Sequence, residues 1–414
     1  MKIAFVIEYF SPFAPGGAEW STYYLAKDLA KKKNMEIFVL TPNYGVKKHE
    51  IMDRINVYRF PFYKKLKKNS PALTSFYYTN PIWFLWTAYQ IFNFVKKNNI
   101  DILHVHGKFS IPSARLANLF LRKKILVTIR DYQVICNYGF CLFKKDKACG
   151  LPEYFFSDFR HYIKNYLSSK NPLLILLNLV FALNGRLTTL VLKKITQGIK
   201  VVVLSYAQKN IFLKNGFKNL EVIGNSIEFP QRPPSLSVKN RLVFAGRLTY
   251  GKGVGLLIEI MPQLFKSLPD FEFAFAGEGF LKEKLQKLYK LKKQLKILGQ
   301  LDHKSLLNLY ATSKLVVVPS VWPEPFGRVA IESLSQGTPV VVTNKGGLPE
   351  IIKDGKWGYV VRPTQNDLLF GIEKAIINSE ILQKNIRGDF NVIKKRFGQD
   401  ITNSYIRIYK DLVR

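Results

Sequence analysis

Short runs of apolar, often β-branched residues alternate with helix-length amphipathic segments along the whole chain. Ten runs predict buried strands, at residues 3–7, 37–40, 102–105, 125–129, 201–204, 241–245, 271–276, 295–298, 315–318 and 340–343. Continuous apolar strands separated by helical patterns are typical of parallel sheets that helices cover on both faces. The pattern therefore predicts an α/β fold of the doubly wound, Rossmann-like kind.

One segment interrupts this alternation. Residues 226–240 (SIEFPQRPPSLSVKN) contain Pro230, Pro233 and Pro234 and few apolar side chains, a composition typical of a linker. The pattern predicts an N-terminal domain at 1–225 and a C-terminal domain at 241–399, which face each other across a cleft. Because doubly wound domains bind ligands at the carboxyl ends of their strands, we searched the loops that follow strands.

Two other segments are strongly apolar, residues 81–94 (PIWFLWTAYQIFNF) and 173–183 (LLILLNLVFAL). Each is shorter than the about 20 residues that a membrane-spanning helix needs. They are either core helices or interfacial elements that lie on a membrane. Residues 1–10 predict a buried strand rather than a signal peptide, because their apolar run is short and no small-residue cleavage site follows.

Composition adds a large positive charge to this picture. The 414 residues include 63 Lys and Arg against 29 Asp and Glu, a formal net charge of +34. Residues 1–225 hold 34 of the basic residues but only 12 of the acidic ones. This excess indicates an anionic partner, which is nucleic acid, an acidic membrane or a phosphorylated small molecule. The apolar content of 47% excludes global disorder.

The three cysteines, Cys136, Cys141 and Cys149, are too few and odd in number for a secreted disulfide framework, so we expect a reducing compartment. Their spacing without an evident fourth ligand favours buried thiols over a zinc site, and the sequence predicts no metal.

Two loops of the N-terminal half carry candidate chemistry. Residues 11–19 (SPFAPGGAE) place Gly16 and Gly17 before a helix, either as a plain turn or as a backbone that approaches a ligand. Residues 101–107 (DILHVHG) place His106 at the end of a strand, where imidazole either is structural or contacts a sugar hydroxyl or phosphate.

The C-terminal half has the more specific pattern. Residues 241–253 (RLVFAGRLTYGKG) place Arg247 and Lys252 in a glycine-rich turn after a strand, where two cations can hold a diphosphate. Residues 319–341 (PSVWPEPFGRVAIESLSQGTPVV) place Glu324 in a loop and Glu332 one turn into the next helix. Carboxylates there can accept hydrogen bonds from sugar and ribose hydroxyls, and the helix start can bind an anion.

Taken together, these motifs resemble glycosyltransferase family four, the retaining enzymes of the GT-B fold. The resemblance runs in order from PGGAE through DILHVHG, FAGRLTYGKG, FAGEGF and SVWPEPFGRVAIES to QGTPVV and GGLPE. It covers nearly the whole chain, and its C-terminal motifs are the more specific ones.

In the C-terminal domain, the resemblance implies a site for a nucleotide-diphosphate sugar. Arg247 and Lys252 match the pair that binds the diphosphate and stabilises the leaving phosphate, and Glu332 matches the glutamate that accepts ribose hydroxyls. The part that faces the donor sugar is matched by Glu324, Phe326 and Gly327. The implied reaction retains anomeric configuration and requires no metal or other cofactor.

In the N-terminal domain, Gly16 and Gly17 match the loop that approaches the donor, and His106 matches a histidine that contacts the donor sugar. His106 and Glu324 are thus the predicted catalytic residues. Arg130 stands where many members have a histidine, and it either binds a phosphorylated acceptor or forms a structural ion pair with Asp131. Residues 400–414 resemble the terminal helix that returns to the N-terminal domain.

The sequence therefore predicts a retaining glycosyltransferase that moves a hexosyl or N-acetylhexosaminyl group to a glycan or lipid-linked acceptor in cell-surface polysaccharide or glycoconjugate synthesis. Its basic, apolar first domain predicts a cytoplasmic enzyme held peripherally on the inner face of the cell membrane. The alternatives are an epimerase of the same fold and a basic nucleic-acid-binding protein. Without a recognisable nucleic-acid module, we expect no nucleic-acid partner.

Overall fold

The computed structural model describes residues 1–14, 16–67, 72–139, 142, 146–167, 171–234, 236–290 and 292–414. Cys141 and Lys68 lie outside this part of the chain. The structure divides into two compact units. The first contains Met1–Leu204, Lys209–Ser226 and Asp400–Arg414, and the second contains Ser205–Gln208 and Ile227–Gln399.

The first unit is built on a sheet of eight strands in the order β3-β4-β2-β1-β5-β6-β7-β8, parallel except for the antiparallel edge pair of β3 and β4. The strands are β1 Lys2–Val6, β2 Glu36–Asn43, β3 His49–Met52, β4 Ile55–Pro61, β5 Ile102–Val105, β6 Lys124–Thr128, β7 Lys200–Val203 and β8 Leu220–Val222. The five predicted strands of this half are all present.

The pattern of apolar runs did not predict β3, β4 and β8. In β4, buried and half-buried positions alternate, as expected for a strand near a sheet edge. A search for continuous apolar runs therefore does not find it. β8 is three residues long and lies at the other edge.

Helices cover both faces of this sheet. They are α1 Gly17–Ala30, α2 Pro81–Asn98, α3 Ile111–Leu121, α4 Leu151–Glu153, α5 Arg160–Tyr166, α6 Pro172–Gln197, α7 Tyr206–Lys214 and α15 Asp400–Val413. A π-helical turn, Tyr154–Phe159, connects α4 with α5. α2 begins at a proline after Asn80, whose side chain accepts a hydrogen bond from the Trp83 amide, and ends before Asn99 with φ of 52°.

The terminal helix α15 is part of the first unit's core. Ile401, Tyr405, Ile408 and Tyr409 pack with the apolar side chains of β1, β2 and α1. The buried His104 ring of β5 joins them, since its Nδ1 lies 2.6 Å from the Tyr409 hydroxyl and its Nε2 lies 2.8 Å from the Thr128 hydroxyl. His104 is thus a hydrogen-bonded structural histidine.

The second unit has a parallel sheet of six strands in the order β11-β10-β9-β12-β13-β14. The strands are β9 Lys239–Ala245, β10 Glu272–Ala276, β11 Leu295–Gly299, β12 Ser313–Val318, β13 Val340–Thr343 and β14 Gly358–Val361. The helices are α8 Val254–Ser267, α9 Lys282–Leu288, α10 His303–Ala311, α11 Arg328–Ser335, α12 Gln365–Ile377, α13 Ser379–Gly388 and α14 Phe390–Lys394. The prediction of two doubly wound α/β domains is confirmed.

The apolar segment at 173–183 differs from its prediction. It belongs to α6, a 26-residue helix that is long and apolar enough to cross a membrane by length and composition. In its most apolar window only 11% of residues are buried, so a core helix is the wrong interpretation. By contrast, α2 buries Trp83, Ile91 and Val95 and is a core helix with one exposed apolar face.

Candidate functional site

The first candidate residues of the second unit lie in the loop between β9 and α8. Gly253 ends this loop with φ of 77°, and a Cβ there would lie 1.8 Å from the Pro319 carbonyl oxygen. Only glycine fits this close approach. The loop thereby packs against the segment after β12, which carries the other candidate residues of this unit.

Lys252 and Glu324 meet at this contact. The Lys252 Nζ donates to Glu324 Oε1 at 2.6 Å, and the Ser320 hydroxyl donates to the same oxygen at 2.6 Å. The Glu324 side chain is 10% exposed, whereas that of Lys252 is 29% exposed. The carboxylate therefore fixes an ammonium group that solvent, or an anionic ligand, still reaches. Arg247, in the same loop, is exposed.

Gly327 shapes the start of α11. Its φ is 130°, and a Cβ there would lie 2.6 Å from Leu348 Cδ2 and 2.8 Å from Ile351 Cδ1. The preceding Phe326 is buried. The helix that begins at the next residue presents free N–H groups and the positive end of its dipole, which together favour an anion.

Glu332 lies further along α11 in a cluster of its own. It is 3% exposed, and its Oε1 accepts hydrogen bonds from Arg328 Nε at 2.5 Å and from His303 Nε2 at 3.0 Å. Burial opposes ionisation of this carboxyl, but Arg328 and His303 outweigh that effect and lower its pKa. Glu332 is therefore ionised at neutral pH. The sequence analysis missed His303, because it lies 29 residues upstream at the start of another helix.

The first unit contains a cavity of about 380 Å³ beside the carboxyl ends of β1, β5 and β6. Apolar side chains such as Ile7, Tyr78 and Phe109 form much of its lining. Carboxyl, imidazole and basic side chains also line it: Glu8, Glu19, His106, Lys108, Arg130 and Asp131. Two predicted residues, His106 and Arg130, thus occupy one cavity.

His106 is a buried, neutral ring in the lining of this cavity. Its Nδ1 lies 2.9 Å from an Arg130 NH1 group, and because a guanidinium only donates, Nδ1 is the acceptor. Burial, with help from His104 and Arg130, holds the pKa of His106 well below its ordinary value. The ring is therefore neutral and carries its proton on Nε2. Among the described residues, this buried Nε2 has no hydrogen-bond partner.

Arg130 and Asp131 make different contacts. Arg130 donates to His106 and, through Nε, to Asn225 Oδ1 at 3.1 Å. Asp131 accepts from the Lys108 ammonium at 2.7 Å. Arg130 thus orients the His106 ring, while Lys108 neutralises the Asp131 carboxylate.

Glu8, at the end of the first strand, is a buried carboxyl that the sequence analysis missed. Its Oε1 accepts a hydrogen bond from the Ser110 hydroxyl at 2.9 Å. Gly107 makes room for the group, since a Cβ there would lie 1.9 Å from Glu8 Oε2. Burial raises the pKa of Glu8 to about 7, although Ser110 and Lys108 act in the opposite direction.

This shift predicts a pH dependence of stability. Because the pKa of Glu8 is about 7 in the fold and 4.5 as its ordinary value, the folded state binds the proton more tightly. The free energy of unfolding should fall by about 3 kcal/mol as pH rises from about 4.5 to about 7. Glu8→Gln should remove this decrease in urea unfolding measured across that range. An unchanged pH profile in the variant would contradict the assignment.

Gly16 and Gly17 form the start of α1 in the first unit. Gly16 is the N-cap in an extended conformation, and both residues are exposed. The Glu19 side chain lies beside them and lines the cavity, where burial raises the pKa of its carboxyl. The two glycines thus lie next to Ala18 and Glu19, which line the cavity that holds His106.

Two family models match the chain. One, described as glycosyl transferases group 1, matches residues 226–388, and the other, glycosyltransferase family 4, matches residues 15–144. The group 1 match lies almost entirely in the second unit of the structure, and the family 4 match lies in the first unit.

Curated relatives align over nearly the full length. An uncharacterized glycosyltransferase of Methanocaldococcus jannaschii is 26% identical and covers 99% of this chain and 98% of its own. The phosphatidylinositol N-acetylglucosaminyltransferase GPI3 subunit of Saccharomyces cerevisiae is 25% identical over 99% of this chain and 83% of its own.

Solved structures share the fold at lower sequence identity. Anabaena HepE in complex with UDP and glucose superposes with a TM-score of 0.67 at 18% identity, covering 99% of both chains. Sucrose-phosphate synthase from Thermosynechococcus elongatus superposes with a TM-score of 0.72 at 18% identity, covering 99% of this chain and 98% of its own.

Proposed function

Since this chain belongs to the glycosyltransferases of group 1 and family 4, we propose that it moves a hexosyl or N-acetylhexosaminyl group from a nucleotide-diphosphate sugar to a glycan or lipid-linked acceptor, with retention of anomeric configuration. Its fold is the GT-B fold of its structural neighbours. The observation that carries the donor assignment is the Lys252–Glu324 pair at the glycine turn of the second unit.

The chemistry of this pair fits a departing diphosphate. Glycosyl transfer leaves negative charge on the phosphate as its bond to the sugar breaks, and a fixed cation stabilises that charge. Glu324, which accepts a second hydrogen bond from Ser320, holds Lys252 in place, and Arg247 adds a second cation in the same loop. No metal is needed for this role. The ionised Glu332 supplies an acceptor for ribose hydroxyls.

The cavity of the first unit suits a polar acceptor or donor sugar. The cations Lys108 and Arg130 favour an acceptor that carries phosphate, and Arg130 also holds the His106 ring in the cavity lining. This supports the choice of a polyprenyl-phosphate type of acceptor in cell-surface glycan synthesis.

A transfer assay tests this function. The protein is incubated with labelled UDP- and GDP-sugars and a lipid extract, and labelled glycolipid is separated. We expect one donor to label a lipid product, with an anomeric NMR coupling that matches the donor. Free sugar epimers without any transfer product would favour an epimerase instead.

We also propose that the first unit lies on an anionic membrane surface. α6 exposes ten large apolar side chains by 40–65% of their surface: Leu173, Leu174, Leu176, Leu177, Val180, Phe181, Leu183, Leu187, Leu190 and Val191. Such a patch on a single chain indicates an interaction surface. Its opposite face is packed in the fold through Ala182, Thr189 and Leu192, which favours a helix that lies along the membrane.

The positive charge of α6 and α2 favours a membrane that contains anionic lipid. Neither α6 nor α2 contains an acidic residue, and each has lysines in its last turns. Anionic lipid attracts such lysines at about 1 kcal/mol for each one near the surface. A bilayer rich in anionic lipid, on the cytoplasmic side of the cell membrane, therefore suits this surface better than a neutral one.

We expect the protein to float with phosphatidylglycerol vesicles at low salt and to float less as salt rises. Placing glutamate at Leu176, Phe181 and Leu187 together should lower vesicle affinity at least tenfold. Each change removes an apolar side chain from the contact with lipid and adds a negative charge that anionic lipid repels. The matched control is Phe370→Glu on α12, which is 65% exposed and should have no effect. Equal flotation of both variants would refute this surface, as would a lipid-free dimer that the triple variant dissociates.

A further inference from the structure

A cluster of buried donor atoms lies in the first unit away from the residues already described. Cys136 is in the loop after β6, Cys149 is two residues before α4, and Asp158 is in the π-helical turn Tyr154–Phe159. Each is at most 2% exposed. Donor atoms of all three lie within 4.8 Å of one another. Thiolate and carboxylate are the ligand types that zinc binds in proteins.

The distances within the cluster match the edges of a tetrahedral zinc site. The two sulfurs are 4.0 Å apart, and the Asp158 Oδ2 lies 3.6 Å from the Cys136 sulfur and 3.7 Å from the Cys149 sulfur. Zinc bonds of about 2.3 Å to sulfur and about 2.0 Å to oxygen at tetrahedral angles give edges of about 3.8 Å and about 3.5 Å. The ion therefore fits with shifts of a few tenths of an ångström.

The surroundings also suit a metal-bound thiolate. The Gly139 amide donates a hydrogen bond to the Cys136 sulfur at 3.3 Å, so this sulfur already acts as an acceptor. Arg186 donates to the Cys149 carbonyl oxygen at 2.9 Å and brings a positive charge next to the cluster. A cation bound among these atoms would compensate the buried carboxylate of Asp158 directly.

We propose that Cys136, Cys149 and Asp158 bind one zinc ion. On binding, the two thiols release their protons to solvent, and the ion balances two of the three resulting negative charges. Arg186 lies beside the remaining charge. A zinc ion with three protein ligands has a fourth position that water can occupy.

The ion would join two parts of the first unit. Cys136 lies in the loop that begins at Arg130, and Asp158 lies on the helical segment that follows this loop. Zinc at this point would hold the loop against the helices and thereby fix the backbone that carries Arg130 to the cavity. This proposal does not depend on the donor or the acceptor of the transfer reaction.

Metal content tests the proposal directly. The full chain is purified under reducing conditions without chelator, and zinc is measured by plasma mass spectrometry. We expect about one zinc per chain in the wild type and a loss of at least fivefold in Cys136→Ser, Cys149→Ser and Asp158→Asn, which each remove a ligand. The matched control Glu153→Gln, at an exposed carboxylate near the same turn, should retain its zinc.

Two measurements on the wild type keep the test decisive if a variant fails to fold. Cobalt added to chelator-treated protein should give the thiolate charge-transfer and d–d absorption bands of a tetrahedral site, and chelator should lower the thermal midpoint. Absence of zinc together with absence of these bands would overturn the proposal. So would zinc that all three variants retain, or a Cys136–Cys149 disulfide found in metal-free protein.

Discussion

Lys252→Ala should lower kcat for glycosyl transfer by about 10²–10³-fold, the loss that follows removal of one preorganised group that stabilises developing charge. The physical reason is the position of the ammonium, which Glu324 holds at 2.6 Å while leaving it accessible to the phosphate of the donor. Lys252→Arg should recover part of the activity, because it keeps the charge but changes the geometry. Initial rates with the preferred donor at saturation measure the effect.

The matched control is Lys282→Ala in the same unit. Lys282 pairs with Glu278 at 2.8 Å on a partly exposed helix, a contact of the same type without a role in the proposed site. Its activity should equal that of the wild type. The thermal unfolding midpoint of each variant shows whether a loss of activity is due to unfolding of the protein. Wild-type rates in folded Lys252→Ala would show that this lysine does not stabilise the leaving group.

Glu332→Gln should weaken binding of the nucleoside diphosphate by about 10–100-fold, because hydrogen bonds to a charged acceptor contribute about 1.5–3 kcal/mol. Among the described residues, the donors to this carboxylate, Arg328 and His303, both reach Oε1, so the proposed ribose contact would use Oε2. Since these donors lower the pKa of Glu332, nucleotide affinity should not change between pH 6 and pH 8 through this group. Isothermal titration calorimetry measures both effects.

The same substitution should also reduce stability, because Arg328 is only 12% exposed and loses the negative charge of the carboxylate that it pairs with. Affinity is therefore compared at a temperature where both proteins are folded. Glu283→Gln, at an exposed position on α9, serves as the control for loss of a carboxylate. An unchanged Kd in folded Glu332→Gln would place the ribose elsewhere.

The sequence was sufficient for the fold because strand burial follows local composition. All ten predicted strands are present, since the centre of a parallel sheet needs continuous apolar residues. Strands without a continuous apolar run escaped prediction for the same reason. β4 alternates buried and half-buried positions, and β14 is a four-residue edge strand with half-buried side chains.

α6 is longer than the predicted apolar segment, because two residues that are not apolar make tertiary contacts within the helix. The apolar segment of the prediction ends at residue 183, shortly before Gly185 and Arg186. In the structure, Gly185 sits so close to Asn137 that a Cβ would lie 2.4 Å from its side-chain nitrogen, and Arg186 points at the Cys149 carbonyl. The helix therefore continues through both residues to Gln197. Local sequence does not contain these partners.

Some residues of the candidate site could be predicted from sequence motifs, and others could not. Lys252 and Glu324 were found from their motifs, and the structure brings them into contact across 72 residues. Glu8, His303 and Asp158 were missed because each becomes informative only beside residues from distant segments. Their sequence neighbours give no spacing that would identify them.

The claim that the second unit binds a nucleotide-diphosphate sugar is tested most directly by a thermal-shift panel of UDP, GDP, ADP and their common sugar conjugates. A ligand at 100 times its Kd adds about 2.7 kcal/mol to stability, which gives a clear shift. We expect one base to stabilise the wild type selectively and to lose this effect in Lys252→Ala and Glu332→Gln. Stabilisation by unrelated DNA, with no response to any nucleotide or nucleotide sugar, would contradict the account.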